Sequence, residues 1–197
     1  MTKSKFTTKY LVELALLVAI ILLMAFTPIG YIKTAGLEIT LIVVPVAVGA
    51  VTLGPTAGAI LGGVFGVTSF IQCFGMSAFG TLLAGINPFF AFLVCVSPRI
   101  LEGWLTGLIY RGLRKTKLPS GVSITFSNLC CPLLNTTFFM GTLVILYAET
   151  MRTQFGMTKV IPFIAAFVGI NGLVEALVCF VLGAAISAAL KKALRYH

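Results

Sequence analysis

Apolar residues fall in six runs along the chain, and none of the runs alternates apolar with polar positions. YLVELALLVAIILLMAFTPIG carries the first predicted span, at roughly 10–27, and ITLIVVPVAVGAVTL a short second one at roughly 39–53. Gly54-Pro55 breaks that segment, and TAGAILGGVFGVTSFI gives a third span at roughly 56–71. The fourth, PFFAFLVCVSPRILEGWLTGLIY, covers 88–110; the fifth is at roughly 122–148 and the sixth at roughly 160–190. A helix needs about 20 apolar residues to cross a bilayer, whereas strands of a membrane barrel would alternate. The pattern therefore predicts an all-α bundle of six transmembrane helices, with residues 1–197 forming a single integral membrane domain. CFGMSAFGTLLAGIN, between spans three and four, reads as a glycine-rich loop, and RGLRKTKLPSG as a hydrophilic turn. The first run is too long for a signal peptide and shows no small-residue cleavage site.

Composition supports a bilayer as solvent. The 197 residues are 59% hydrophobic and 10% charged, with a mean hydropathy of +1.10, against about a quarter charged in a soluble domain. The formal charge of +9 raises the question of nucleic acid, and its distribution answers it. Lys3, Lys5 and Lys9 precede span one; Arg111, Arg114, Lys115 and Lys117 follow span four; Lys191, Lys192 and Arg195 close the chain. With six spans these all fall on one side, which the positive-inside rule makes cytoplasmic, together with both termini. The opposite side keeps Lys33, Arg152 and Lys159. Charge split among three short segments, without interleaved aromatics, is no nucleic-acid surface.

The few polar residues inside the spans are the informative ones, since charges at mid-bilayer cost a few kcal/mol or more and face a bundle interior or cavity. Arg99 sits eleven residues past Pro88, about 16 Å along a helix. Pro98 before it frees a carbonyl one turn back, and Glu102 lies within side-chain reach. Span five carries Asn128 and Asn135-Thr136-Thr137; span six carries Asn171 and Glu175, four apart and so on one face. Arg99, Asn135, Asn171 and Glu175 can share one depth, where a cation, two amides and a carboxylate would make a polar ligand site. The alternative is structural: Arg99 pairing with Glu102 or Glu175 to hold helices together, and the amides serving as interhelical hydrogen bonds. Asn128, alone, reads as structural.

Small residues form a second signal. Gly58-x-x-x-Gly62-x-x-x-Gly66 on span three and Ala15-x-x-x-Ala19 on span one are stripes that let helices approach closely. The glycine row suits packing within the chain; the alanine row suits either that or another subunit. Signs of catalysis are missing. There is no P-loop, no nucleophile elbow and no internal histidine, the one histidine being His197. The five cysteines lack C-x-x-C spacing and read as small buried hydrophobes. No enzyme activity, cofactor or metal is expected, and a binding or transport role remains.

LVELALLVAI with Ala15 and Ala19, then IVVPVAVGAVTLGPTAGAILGGVFGVTSF, then SPRILEGWLTGLIY, resembles the S components of energy-coupling factor (ECF) transporters. The Pro45–Gly66 pattern looks nearest the pantothenate-type members. The resemblance implies a six-helix substrate-binding subunit in a bacterial or archaeal cell membrane. It captures a small water-soluble vitamin from outside and delivers it with a T-component membrane subunit and two cytoplasmic ATPases. It also implies that Ala15 and Ala19 contact the T subunit, that Arg99 holds a carboxylate such as that of pantothenate, and that Asn135, Asn171 and Glu175 take hydroxyl and amide groups. The loop at 73–87 would close over the ligand. An S component for another vitamin, such as riboflavin or folate, is an alternative, as are a membrane scaffold and a stand-alone secondary transporter. A bulky residue at Ala15 or Ala19 is expected to abolish uptake in cells while leaving vitamin binding by the purified protein unchanged; loss of binding as well would assign the stripe to internal packing.

Overall fold

The computed structural model describes residues 7–27, 30–34, 37–150 and 173–195. Helix α1 (Thr8–Ala25) buries Leu14, Ile21 and Ala25 and leaves Leu11, Val12, Leu16 and Leu23 exposed. After it come β1 (Tyr31–Thr34) and β2 (Leu37–Thr40), an antiparallel hairpin with Tyr31 opposite Thr40 and Thr34 opposite Leu37. Its base is closed by the Leu41 N–H donating to the Gly30 carbonyl at 2.9 Å. Helix α2 (Val43–Thr52) is buried at every position from Val43 to Val51. A helix apolar all round belongs in an interior, and α2 packs against α1, α3, α5 and α6 at the centre of the bundle.

Gly54 then takes a φ of 103°, in the region that favours glycine, and Pro55 occupies the first turn of α3 (Pro55–Gln72), where its missing N–H costs nothing. The chain reverses there. A second glycine corner, Gly75 at φ 105°, leads into α4 (Ala78–Ile86), whose Gly80 N–H donates to the Ser77 hydroxyl at 3.3 Å. Asn87 starts α5 (Pro88–Leu113), accepting at Oδ1 from the Phe89 and Phe90 N–H groups at 3.0 and 3.2 Å. Tyr147, near the end of α6 (Ser120–Thr150), sets its hydroxyl 3.0 Å from the Leu83 carbonyl and 3.1 Å from that of Asn87. One phenol thus fastens the α4–α5 corner to α6. Helix α7 (173–195) contains a π-helical turn, Cys179–Gly183. Asn128 of α6 lies against it, with Nδ2 2.9 Å from the Ile124 carbonyl and 3.3 Å from the Ser187 hydroxyl. The structural reading of Asn128 fits these contacts.

The tightest packing joins α3 to α5. A Cβ added at Gly58 would stand 2.2 Å from the Gly103 carbonyl oxygen, one at Gly62 2.0 Å from that of Arg99, and one at Gly66 2.7 Å from Val96 Cα. Gly103 and Gly107 answer from α5: a Cβ added at Gly103 would stand 2.1 Å from the Gly58 carbonyl oxygen and one at Gly107 2.5 Å from Pro55 Cα. The two helices run antiparallel, main chain on main chain, along the glycine stripe visible in the sequence.

Six full crossings with both termini on the cytoplasmic face are not what the structure shows. Among the described residues, four helices are long and apolar enough to cross a membrane: Thr8–Ala25, Pro88–Leu113, Ser120–Tyr147 and Leu173–Lys192. The second expected span is split between the hairpin and the ten-residue α2, about 15 Å long against a hydrocarbon core of about 30 Å. The third, α3, is diluted by four glycines and by Thr, Ser and Gln. The expected loop at 73–87 is also largely helical, as α4. Counting apolar residues overcounts crossings here because α2 is apolar through burial in protein, not through contact with lipid.

Gly62→Ala should lower the thermal midpoint of the detergent-purified protein by roughly 10 °C, as expected for about 3 kcal/mol of overpacking. Gly63→Ala, where a Cβ would meet only the Ile100 side chain, at 3.6 and 3.9 Å, should leave the midpoint within about 2 °C. Equal midpoints for the two variants would refute the main-chain contact.

Candidate functional site

Proline 98 shapes the centre of α5. Having no N–H, it leaves the Val94 carbonyl without its helical donor. The next residue supplies one: Arg99 curls back along the helix and donates from Nη1 to the Val94 carbonyl at 2.8 Å. Two rings flank the guanidinium, Phe139 of α6 with its centroid 4.5 Å from Cζ and Phe65 of α3 at 5.3 Å. A guanidinium over aromatic faces gains cation–π attraction, more strongly where it is desolvated. Arg99 is 9% exposed, and its Nε is buried without a hydrogen-bond partner. The charge is therefore anchored at one end and has an unused donor at the other.

Carboxylates stand near it without pairing. Glu102, one turn on, is fully buried, and neither of its oxygens has a partner. It lies within electrostatic reach of both Arg99 and Glu175. Glu175, 5% exposed, accepts at Oε1 from the Thr40 N–H at 3.1 Å, so the end of the β-hairpin reaches into the bundle. The Asn135 amide is directed at the same carboxylate, while Asn135 Oδ1 is buried and unpartnered. Among the described residues, neither Glu102 nor Glu175 hydrogen-bonds to Arg99.

Of the four site residues expected from sequence, the structure brings together Arg99 of α5, Asn135 of α6 and Glu175 of α7; Asn171 lies outside the described residues. Ala15 and Ala19 are exposed on the outer side of α1, away from buried Leu14 and Ile21. Sequence reasoning did not find Phe65 and Phe139, whose place beside Arg99 depends on helix register, nor the Thr40 backbone, which comes from a hairpin read as loop and span. It also missed Thr106, fully buried with an unpartnered hydroxyl. Its spacing of four from Glu102 was a usable signal. Chemically, the cluster offers a guanidinium donor edge to an anion and a set of oxygen acceptors to hydroxyls or amides. Among the described residues, no three His, Cys, Asp or Glu side chains group as metal ligands.

Residues 9–187 match the family described as the substrate-specific component of ECF transporters. The chain is also 31% identical over 190 residues to the pantothenate transporter PanT of Leuconostoc mesenteroides subsp. mesenteroides, an alignment covering 91% of this chain and 90% of that protein. With the match spanning most of the sequence and several helices fit to cross a bilayer, this multi-pass membrane protein belongs to the family of ECF transporter substrate-specific components.

Proposed function

We propose that the chain binds pantothenate as the capture subunit of an ECF importer, performing no chemistry itself, and delivers it with a T subunit and two ATPases. The observation that carries this reading is the guanidinium of Arg99. It is buried, held between Phe65 and Phe139, bonded at Nη1 to Val94, and unpaired at Nε. A structural ion pair would have spent that edge on Glu102 or Glu175. A monoacid with hydroxyl and amide groups suits the surroundings: its carboxylate goes to Arg99 through charge-assisted hydrogen bonds, its hydroxyls and amide toward Asn135 and Glu175. The relative named as a pantothenate transporter supports this choice of acid. Helix α4, hung between Gly75 and the Asn87 cap, is the element proposed to move when ligand enters. Ala15 and Ala19, exposed on α1, are the surface proposed for the T subunit.

Removing one side of a buried, hydrogen-bonded charge pair costs about 2–5 kcal/mol. Arg99→Ala is therefore expected to weaken pantothenate binding by at least about 30-fold in calorimetry of the purified protein. Binding of the alcohol analogue, which lacks the carboxylate, should change far less. Unchanged pantothenate affinity would refute the carboxylate role; tight binding of riboflavin or folate with none of pantothenate would reassign the vitamin. Pro98→Ala restores an N–H for the Val94 carbonyl and so competes with the Arg99 anchor. The loss of one such bond, about 1 kcal/mol, predicts a shift in pantothenate affinity of roughly 5-fold; the same titration checks it.

A further inference from the structure

Two thiols meet where α3 ends against α5. Cys73 caps the C-terminus of α3, and Cys95 lies in the outer half of α5. Their Sγ atoms are 3.7 Å apart. Both side chains are buried, and neither cysteine is in a disulfide. The helix frame aims them at each other. A Cα–Cβ bond leans toward the N-terminus of its own helix. Because α3 and α5 are antiparallel, Cys73 leans back along α3 and Cys95 leans along α5 to meet it. One turn before each cysteine, Phe70 and Phe92 meet edge to face with centroids 5.2 Å apart, which holds the two helices together beside the pair. Helix α4 is seated on the first thiol: a Cβ added at Gly80 would stand 2.8 Å from Cys73 Sγ. The chain between the two cysteines holds the Gly75 corner, α4 and the Asn87 cap.

We infer that Cys73 and Cys95 are a site of reversible oxidation, where hydrogen peroxide forms a disulfide that clamps α4. The peroxide oxidises one thiol to a sulfenic acid and releases one water. The sulfur of the second thiol then attacks the sulfenic sulfur. The S–S bond forms, and the sulfenic hydroxyl leaves as a second water with the proton of that thiol. Two S–H bonds and the O–O bond are broken, and the two electrons lost by the sulfurs go to the peroxide. An S–S bond is about 2.05 Å long, so the sulfurs must close by about 1.7 Å from their 3.7 Å separation. Cys73 can yield, because it ends α3 two residues before the Gly75 corner. Position favours the oxidised form. Arg111 and Arg114 stand at the opposite end of α5, the end that the positive-inside rule keeps in the cytoplasm. The thiols therefore lie toward the outer face, where disulfides persist. The crosslink closes a loop that contains all of α4, and it limits how far the two ends of that helix can part. The oxidation site does not depend on the pantothenate reading; its effect on ligand exchange rests on the proposed movement of α4.

The test uses the full chain, purified in detergent under reductant and then treated with hydrogen peroxide. The chain is denatured, and its thiols are counted by maleimide labelling and intact mass. The five cysteines should label fully before peroxide and lose two labels after it. Peptide mapping should join Cys73 to Cys95, and a phosphine reductant should restore the count. The disulfide should raise the thermal midpoint by roughly 5–10 °C, as expected for a closed loop of this length. Cys73→Ala and Cys95→Ala should each lose the link and the rise in midpoint, and either serves if the other does not fold. A label count unchanged by peroxide would overturn the inference, as would a disulfide joining any other pair. A mapped Cys73–Cys95 link with no rise in midpoint would overturn the clamp. Repeating the oxidation with pantothenate present separates this proposal from the functional reading. Bound pantothenate should slow the reaction by holding α4 down over the thiols. A link that forms at the same rate with ligand bound sinks only the movement of α4, and a chain that oxidises but binds no pantothenate sinks only the vitamin assignment.

Discussion

Main chain packs on main chain where α3 meets α5, and this contact positions the polar groups of the bundle. Helices in lipid gain nothing from burying one apolar surface against another, because the lipid is equally apolar; close approach and interhelical hydrogen bonds have to hold them. Gly58 meets Gly103, Gly62 meets the Arg99 carbonyl and Gly66 meets Val96, with no side chain between the two backbones. Fixing α5 at its main chain also fixes where the Arg99 side chain leaves the helix. It lies across to Phe65 and Phe139, within electrostatic reach of Glu102 and Glu175.

The energetics of Arg99 then explain why such a residue is tolerated. A charge at mid-bilayer costs a few kcal/mol or more. The hydrogen bond to the Val94 carbonyl, left free by Pro98, and the two ring contacts each offset about 1 kcal/mol of that. What remains uncompensated is the unpaired Nε edge, the edge that the proposed ligand carboxylate would meet.

Much of this was legible in the sequence where the signal was local. The spacing of Gly58, Gly62 and Gly66 announced a close helix contact, Pro98 announced a freed carbonyl, and a lone arginine in an apolar run announced a buried polar cluster. Asn135 and Glu175 followed from the same scarcity of polar residues. What failed was non-local. Val43 to Val51 is as apolar as any membrane span, yet it is a buried ten-residue helix, because burial in protein and burial in lipid select the same residue types. Ser77 and Asn87 cap α4 and α5, but the three glycines between 75 and 87, with the small residues among them, read as loop. Phe139 sits beside Arg99 only because the register of α6 against α5 puts it there, and no pattern within either helix encodes that register.

The account stands or falls on what the guanidinium does when the ligand is present. A structure of the purified protein bound to pantothenate measures it directly. The account predicts the carboxylate within hydrogen-bonding distance of Arg99, with Nε no longer unpartnered and the Phe65 and Phe139 rings still flanking the charge. A carboxylate held elsewhere, with Arg99 turned onto Glu102 or Glu175, would contradict it.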